Sequence, residues 1–199
     1  MESPARIDRL ILASASPRRV DLLRSMGVEF DVVPSSADEL HDESFAPDVL
    51  CELNAERKAT DVEKLYPGRI VLGADTLVAL EGKLLGKPRD LAEASEMLRE
   101  LSGKTHRVIT GVCLCGPDRK ATFSEVTEVS FRRLGAEVIR AYLAEVNVLD
   151  KAGAYGIQER GEMIVESISG SFSNVVGLPQ ERVAREFDDW GIPYSKRRR

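Results

Sequence analysis

Cysteine is scarce: Cys51, Cys113 and Cys115 are the only three in 199 residues. Three is an odd number, short of the four ligands of a structural zinc site and no basis for a framework of paired disulfides. Reduced thiols in a cytosolic protein are the reading this supports. Cys113 and Cys115 stand two apart in a strand-like run, so they face the same side, as buried strand thiols rather than as a redox pair. Long apolar runs are missing as well. The opening stretch, MESPARIDRLILASASPRR, holds an apolar patch too short for the core of a signal peptide and far too short to span a bilayer. A soluble, cytoplasmic protein is expected, with no membrane partner.

An excess of basic charge is also absent. The chain has 28 Lys+Arg against 33 Asp+Glu, a net charge of −5. The last four residues, Lys196 to Arg199, are all basic, which leaves the first 195 at −9. Such an acidic body argues against tracking a nucleic acid polymer, which needs a broad basic surface to neutralise phosphates. One small phosphate-bearing ligand in a local basic pocket stays compatible with it. The basic tail, from about residue 195, reads as a frayed, solvated end. No linker, repeat or low-complexity stretch divides the chain, so residues 1–199 read as a single domain, long enough to bury about 70% of the unfolded chain's surface.

Apolar periodicity gives the elements. Arg9 to Ala13 reads as a short buried strand, followed by a helix with Ser16 at its N-cap, Pro17 at its first position and Gly27 beyond its end. Glu29 to Val33 alternates like a half-buried strand, and a carboxylate-rich loop containing Glu39 follows. A long helix is predicted from Pro47 to Tyr66, with Cys51, Ala55, Lys58, Val62 and Leu65 on one stripe. Lys58 on that apolar stripe must reach water or meet an anion. Strands are predicted over Arg69 to Leu80, Thr105 to Cys115, Ala121 to Phe131 and Glu162 to Ile168. Further helices are predicted over Leu91 to Leu101, Ala136 to Val146 and from near Leu178 to before Gly191. The mixture predicts an α/β or α+β fold with a mixed sheet.

Neither a Walker A loop nor a GxSxG elbow occurs, and His41 and His106 fit no metal or triad spacing. Chemistry must be sought elsewhere. Ser14 to Arg19, SASPRR, sits where a strand hands over to a helix. Free backbone N–H groups there attract anions, and Arg18 and Arg19 add fork-shaped charge suited to phosphate; a capped surface helix with solvated arginines is the alternative. Asp75 lies inside the apolar run VLGADTLV, a costly position for a carboxylate unless it is paired, hydrogen-bonded or bound to a metal. Glu39 and Asp75 together suit a Mg²⁺ ion, which prefers oxygen ligands, while Lys58 and Lys87 offer point charges to phosphates. Cations for phosphates, carboxylates for a metal and one carboxylate as base suit metal-assisted phosphoanhydride hydrolysis.

These segments together resemble the Maf family of nucleoside triphosphate pyrophosphatases, once named for an association with septum formation. The resemblance runs through LILASASPRRVDLL, ADE near residue 38, NAERKA around Lys58, GADTLV around Asp75, GKPRD, LSGKTHRVITGV, KAGAYGIQ and VVGLP. Ala15 departs from the glycine many relatives carry. The resemblance implies an elongated mixed sheet flanked by helices, in two lobes around a substrate cleft, similar to the inosine triphosphate pyrophosphatases. It implies hydrolysis of a nucleoside triphosphate to monophosphate and pyrophosphate with a divalent cation, Mg²⁺ or Mn²⁺, as house-cleaning of nucleotide pools. Asp75 then activates water, Glu39 and Asp75 serve the metal, and Arg18, Arg19, Lys58 and Lys87, with Ser14 beside them, hold the triphosphate. KAGAYGIQ and ADT resemble the branch acting on dTTP and UTP, with Arg18, Thr76 and Gln158 at the positions used for specificity. A Gln amide offers the donor and acceptor that complement O4 and N3–H of uracil or thymine, a pattern cytosine reverses. Homodimers are common in such families, though no segment here identifies an interface. A nucleotide-binding regulator of septum formation without turnover is the alternative, and a phosphohydrolase releasing orthophosphate a third reading.

Overall fold

The computed structural model describes residues 9–42 and 44–195. Three fully buried residues, Leu10–Leu12, form β1, and helix α1, Pro17–Ser25, follows with Pro17 supplying its preset backbone angle. Ser16 occupies the N-cap position, but its side chain makes no capping bond; its N–H donates instead to Ser14 Oγ at 3.2 Å. After β2, Phe30–Val32, an extended loop leads to α2, Pro47–Glu63. β3, Val71–Leu80, turns into the short β4, Lys83–Leu85. α3, Leu91–Leu101, is capped by the Asp90 carboxylate, which accepts from the N–H of Glu93 at 2.8 Å. The hairpin of β5, Thr105–Cys115, and β6, Lys120–Phe131, precedes α4, Ala136–Glu145. A 3₁₀ turn at Ala152–Ala154, α5 at Gly161–Ile164, β7 at Val165–Ser169, α6 at Phe172–Val176 and α7 at Gln180–Trp190 complete the chain.

The seven strands form one mixed sheet in the order β2-β1-β3-β5-β6-β7, with β4 also on β3. β1 lies parallel to both β2 and β3, and the other pairings are antiparallel. β3 therefore has an interrupted edge. β1 pairs with it at Val71 and Leu72, β4 pairs with it from Val78 to Leu80, and the residues between are bonded on the β5 side.

Two apolar cores flank that interruption. One joins Leu10, Leu12, Leu23 and Leu72 to Val183 and Phe187 of α7; the other joins Val78, Leu98, Phe131 and Ile139 to Tyr142 and Tyr155. α2 covers the opposite face, packing Ala55, Ala59 and Val62 on Ile11 and Val71. It can lie so close because of two glycines. A Cβ on Gly73 would stand 2.4 Å from the carbonyl oxygen of Ala55, and one on Gly111 would stand 2.4 Å from that of Cys51. Cys113 and Cys115 share the α2 face, as their spacing implies. Among the described residues no helix is long and apolar enough to cross a membrane.

Several elements differ from their sequence expectation. α2 stops at Glu63 rather than Tyr66 because the chain tightens there, Leu65 and Tyr66 donating to the carbonyls three residues back at 3.0 Å, and Leu65 is exposed. Glu162 to Ile164 belong to the turn of α5 instead of a strand; Arg160 is left-handed at φ 56° and starts that turn, which buries Ile164 in the core. α6 was not predicted, since five residues are too few to show a period. The sequence places the start of the frayed tail at about residue 195, and in the structure Ser195 itself donates its N–H to the carbonyl of Met26 at 2.7 Å. The basic residues 196–199 lie outside the described residues.

Candidate active site

A cleft of about 770 Å³ opens at the interrupted edge of β3. Strand alternation sends Asp75 toward α2 and Thr76 to the opposite face, so the two neighbours serve different walls. On the α2 side Asp75 is 5% exposed. Lys58, delivered by the close approach of α2, places its ammonium 2.7 Å from Asp75 Oδ1 and 2.7 Å from Glu39 Oε1. The lysine on the apolar stripe thus meets two anions. Burial raises the Glu39 pKa, but the hydrogen bond and charge of Lys58, with help from Lys87 and His41, outweigh it and hold the carboxyl below its usual range.

Asn54, one helical turn before Lys58, is a further member of the site that its residue type alone does not mark. Its amide donates to Asp75 Oδ2 at 3.3 Å and to the Leu40 carbonyl at 3.1 Å, while its Oδ1 accepts from the Leu40 N–H at 2.7 Å. It ties the loop of Glu39 to Asp75. The spacing of four residues inside NAERK was the available signal, since it puts Asn54 and Lys58 on one face. Asp61 fastens the same loop further on by accepting from Ser35 Oγ at 2.7 Å and the Ser36 N–H at 2.9 Å. The acidic loop is therefore built against α2 rather than freely solvated. Beneath Asp75, the Cys51 thiol donates toward the Asp75 carbonyl at 3.1 Å and accepts from the Gly111 N–H at 3.0 Å. Burial, reinforced by the Asp75 charge, pushes its pKa far up, so it is a neutral structural group.

The other wall centres on Arg19. Its Nε donates to the Gly177 carbonyl at 2.9 Å, one Nη to Ser14 Oγ at 3.2 Å and the other to Thr76 Oγ1 at 2.9 Å. Thr76 stands 3.0 Å from Thr110 Oγ1, which donates to the Asn174 carbonyl. Every acceptor on Arg19 is neutral. Burial lowers its pKa, with the more distant charge of Asp75 opposing. Three acceptors leave two of its five N–H groups for a ligand.

Arg18 points elsewhere, its Nη1 bonded to Asp150 Oδ2 at 2.8 Å. Lys87 and Gln158 are exposed on the cleft wall. Ser14, Arg18, Arg19, Glu39 and Lys58 thus share one cleft with Asp75, Thr76, Lys87 and Gln158. Among the described residues no group of three or more His, Cys, Asp or Glu side chains is placed to hold a metal. The two carboxylates Glu39 and Asp75, joined through Lys58, nevertheless fit a hard divalent cation, which binds through one or two carboxylates and completes its shell with water and substrate phosphates.

Sheet and cleft together define an α/β protein with a groove lined by both cationic and acidic side chains at a broken strand edge. The same fold occurs in the Ham1 protein of Staphylococcus aureus, with a TM-score of 0.52 and 15% identity over 89% of this chain and 99% of that one. The Maf-like protein family model matches residues 9–190, and the chain belongs to that family. A dTTP/UTP pyrophosphatase of Bacillus pumilus (strain SAFR-032) is 45% identical over 94% of this chain and 98% of its own length. Another, of Symbiobacterium thermophilum, is 47% identical over 94% and 96% respectively.

Proposed function

We propose that this protein is a nucleoside triphosphate pyrophosphatase that converts dTTP and UTP to the monophosphate and pyrophosphate, with residues 1–199 working as one unit. The observation that carries the reading is the pairing of opposite walls at one strand edge. Asp75 with Lys58 and Glu39 lies on one side of β3, and Arg19, bonded only to neutral acceptors among the described residues, lies on the other. The substrate names of the relatives support the choice of nucleotide.

In this reading Asp75 takes the proton of the attacking water. The water oxygen bonds to the α-phosphorus, the bond to the bridging oxygen breaks, and that oxygen leaves with pyrophosphate. Arg19, backed by Ser14, Lys58 and Lys87, offsets the charge that develops on the leaving group, with Arg18 at the rim. Glu39 and Asp75 would hold a Mg²⁺ or Mn²⁺ ion, which when bound neutralises phosphate charge and lowers the pKa of its water. At the far end of the cleft the Gln158 amide complements O4 and N3–H of uracil or thymine, with Arg18 and Thr76 contributing to selection.

The test is a panel of nucleoside triphosphates with Mg²⁺ or Mn²⁺, scored by product. Pyrophosphate release from dTTP and UTP above that from purine triphosphates is expected. Orthophosphate as the product would replace the reading with a different phosphohydrolase. Nucleotide binding without either product would replace it with the non-catalytic regulator.

A further inference from the structure

The segment after α4 carries a row of charges that the reaction above does not use. Lys151 is 5% exposed, an unusual setting for an ammonium. Its Nζ donates to Asp150 Oδ1 at 2.9 Å and to the Asn147 carbonyl, and stands 3.1 Å from Glu159 Oε1. Three acceptors meet its three N–H groups, so none is left for a ligand. Asp150 turns its other oxygen across the cleft to Arg18, and its backbone carbonyl lies 3.4 Å from Arg18 Nη2. Burial raises the Asp150 pKa, but the hydrogen bonds and charges of Arg18 and Lys151 prevail and hold it low. Arg18, Asp150, Lys151 and Glu159 therefore alternate in sign from one wall of the cleft to the other. One end of the row is Arg18 itself, and the other is the residue next to Gln158.

Packing shows how firmly the row is held. A Cβ on Gly156 would stand 2.7 Å from Lys151 Cε and 3.0 Å from Cδ, so the lysine stem fills the place a side chain at 156 would take. From the other side the Tyr142 hydroxyl accepts from the Gly156 N–H at 3.0 Å and donates to the Gly156 carbonyl at 3.3 Å. The segment that presents Gln158 is pinned between a lysine stem and a phenol.

We infer that Lys151, acting through Asp150 and Glu159, is a positioning residue for base selection that holds Arg18 and Gln158 in register across the cleft. The inference rests on the reading of Arg18 and Gln158 as base-selecting groups. Its test uses Asp150→Asn and Gly156→Ala, the latter displacing the lysine stem while leaving every charge in place. Pyrophosphate release from dTTP, UTP and CTP gives KM and kcat, and tripolyphosphate serves as a competing inhibitor without a base. Loss of one charge-assisted contact is expected to raise KM for dTTP and UTP about tenfold in each variant. The preference for dTTP over CTP should narrow by a similar factor, with kcat within about threefold of the parent. Inhibition by tripolyphosphate should change less than about threefold, because Arg19, Lys58 and Lys87 stay in place and Arg18 keeps its charge and meets the triphosphate only at the rim. Unchanged KM and preference in both variants would overturn the inference. So would equal losses for dTTP and tripolyphosphate, which indicate a general disturbance of the cleft. A parent protein that releases no pyrophosphate removes the underlying reading first, and the inference with it. Active parent protein with unaltered variants removes the inference alone.

Discussion

At one end of the cleft three charges from three separate segments, Glu39, Lys58 and Asp75, meet through contacts of 2.7 Å. At the other, a single continuous segment from Lys151 to Gln158 is pinned by buried side chains beneath it. The first end is a set of mutually satisfied ions, and in the proposed reaction they exchange partners when the triphosphate and the cation bind. The second is a preformed surface in which Asp150, Lys151 and Glu159 are already paired and the Gln158 side chain is exposed, as the proposed base selection requires. On the proposed reading, the chemistry that moves charge uses groups able to change partners, and selection uses groups that are held fixed.

Breaking the first end should have the largest effect. Asp75→Asn removes the proposed base and one anion from Lys58, and pyrophosphate release should fall by about 10³-fold with the thermal transition retained. Near-normal turnover would take the base role away from Asp75. Next comes Arg19→Lys, which keeps the charge but cannot reach Ser14, Thr76 and Gly177 together; a loss of about 10²-fold in kcat/KM is expected. A variant as active as the parent would show that charge alone suffices and that the three fixed hydrogen bonds do not orient the guanidinium.

The second end makes its own prediction through pH. His106, 1% exposed, pairs its Nε2 with the Tyr155 hydroxyl at 2.7 Å beneath the base segment, and burial lowers its pKa to about 4. The unfolded chain therefore binds the proton more readily than the folded one between its ordinary value of 6.5 and about 4. Stability contributed by the neutral imidazole is whole above pH 6.5 and is lost as pH falls toward 4, by about 3 kcal/mol in total. Denaturant titrations of the parent and His106→Gln across that range should differ in slope, and parallel curves would remove the imidazole as the cause. The smallest effect is expected from Gln158→Ala at the exposed surface. It should lower the preference for dTTP over CTP about tenfold while leaving tripolyphosphate inhibition unaltered. An unchanged preference would leave base selection to other groups.

Legibility followed the same division. Asp75 announced itself as a carboxylate in an apolar strand, and Lys58 as an ammonium on an apolar stripe, because each violates burial rules within its own element. Their mutual contact was not visible, since it depends on α2 resting against Gly73 and Gly111. At the base end Lys151, Asp150 and His106 passed as ordinary loop and strand residues. A lysine at the start of a loop of small residues breaks no local pattern, and the stem of Lys151 packs on Gly156 and its ammonium meets Glu159 only after the chain has folded back. α6 is hidden for a different reason, being too short to show a period, and the last strand begins only at Val165 because the turn of α5 takes up the residues before it.

The sequence by itself determined the mixed α/β class, the strand and helix carrying each charged group, and the family, because periodicity and ordered motifs are properties of one dimension. Only the tertiary structure decided that β3 loses its neighbour between β1 and β4, that Lys58 joins two carboxylates, and that Arg18 is held from the opposite wall by Asp150. Those are contacts between segments as many as 132 residues apart. Their existence follows from which surfaces can be buried against one another at close range, a quantity no local window of residues contains.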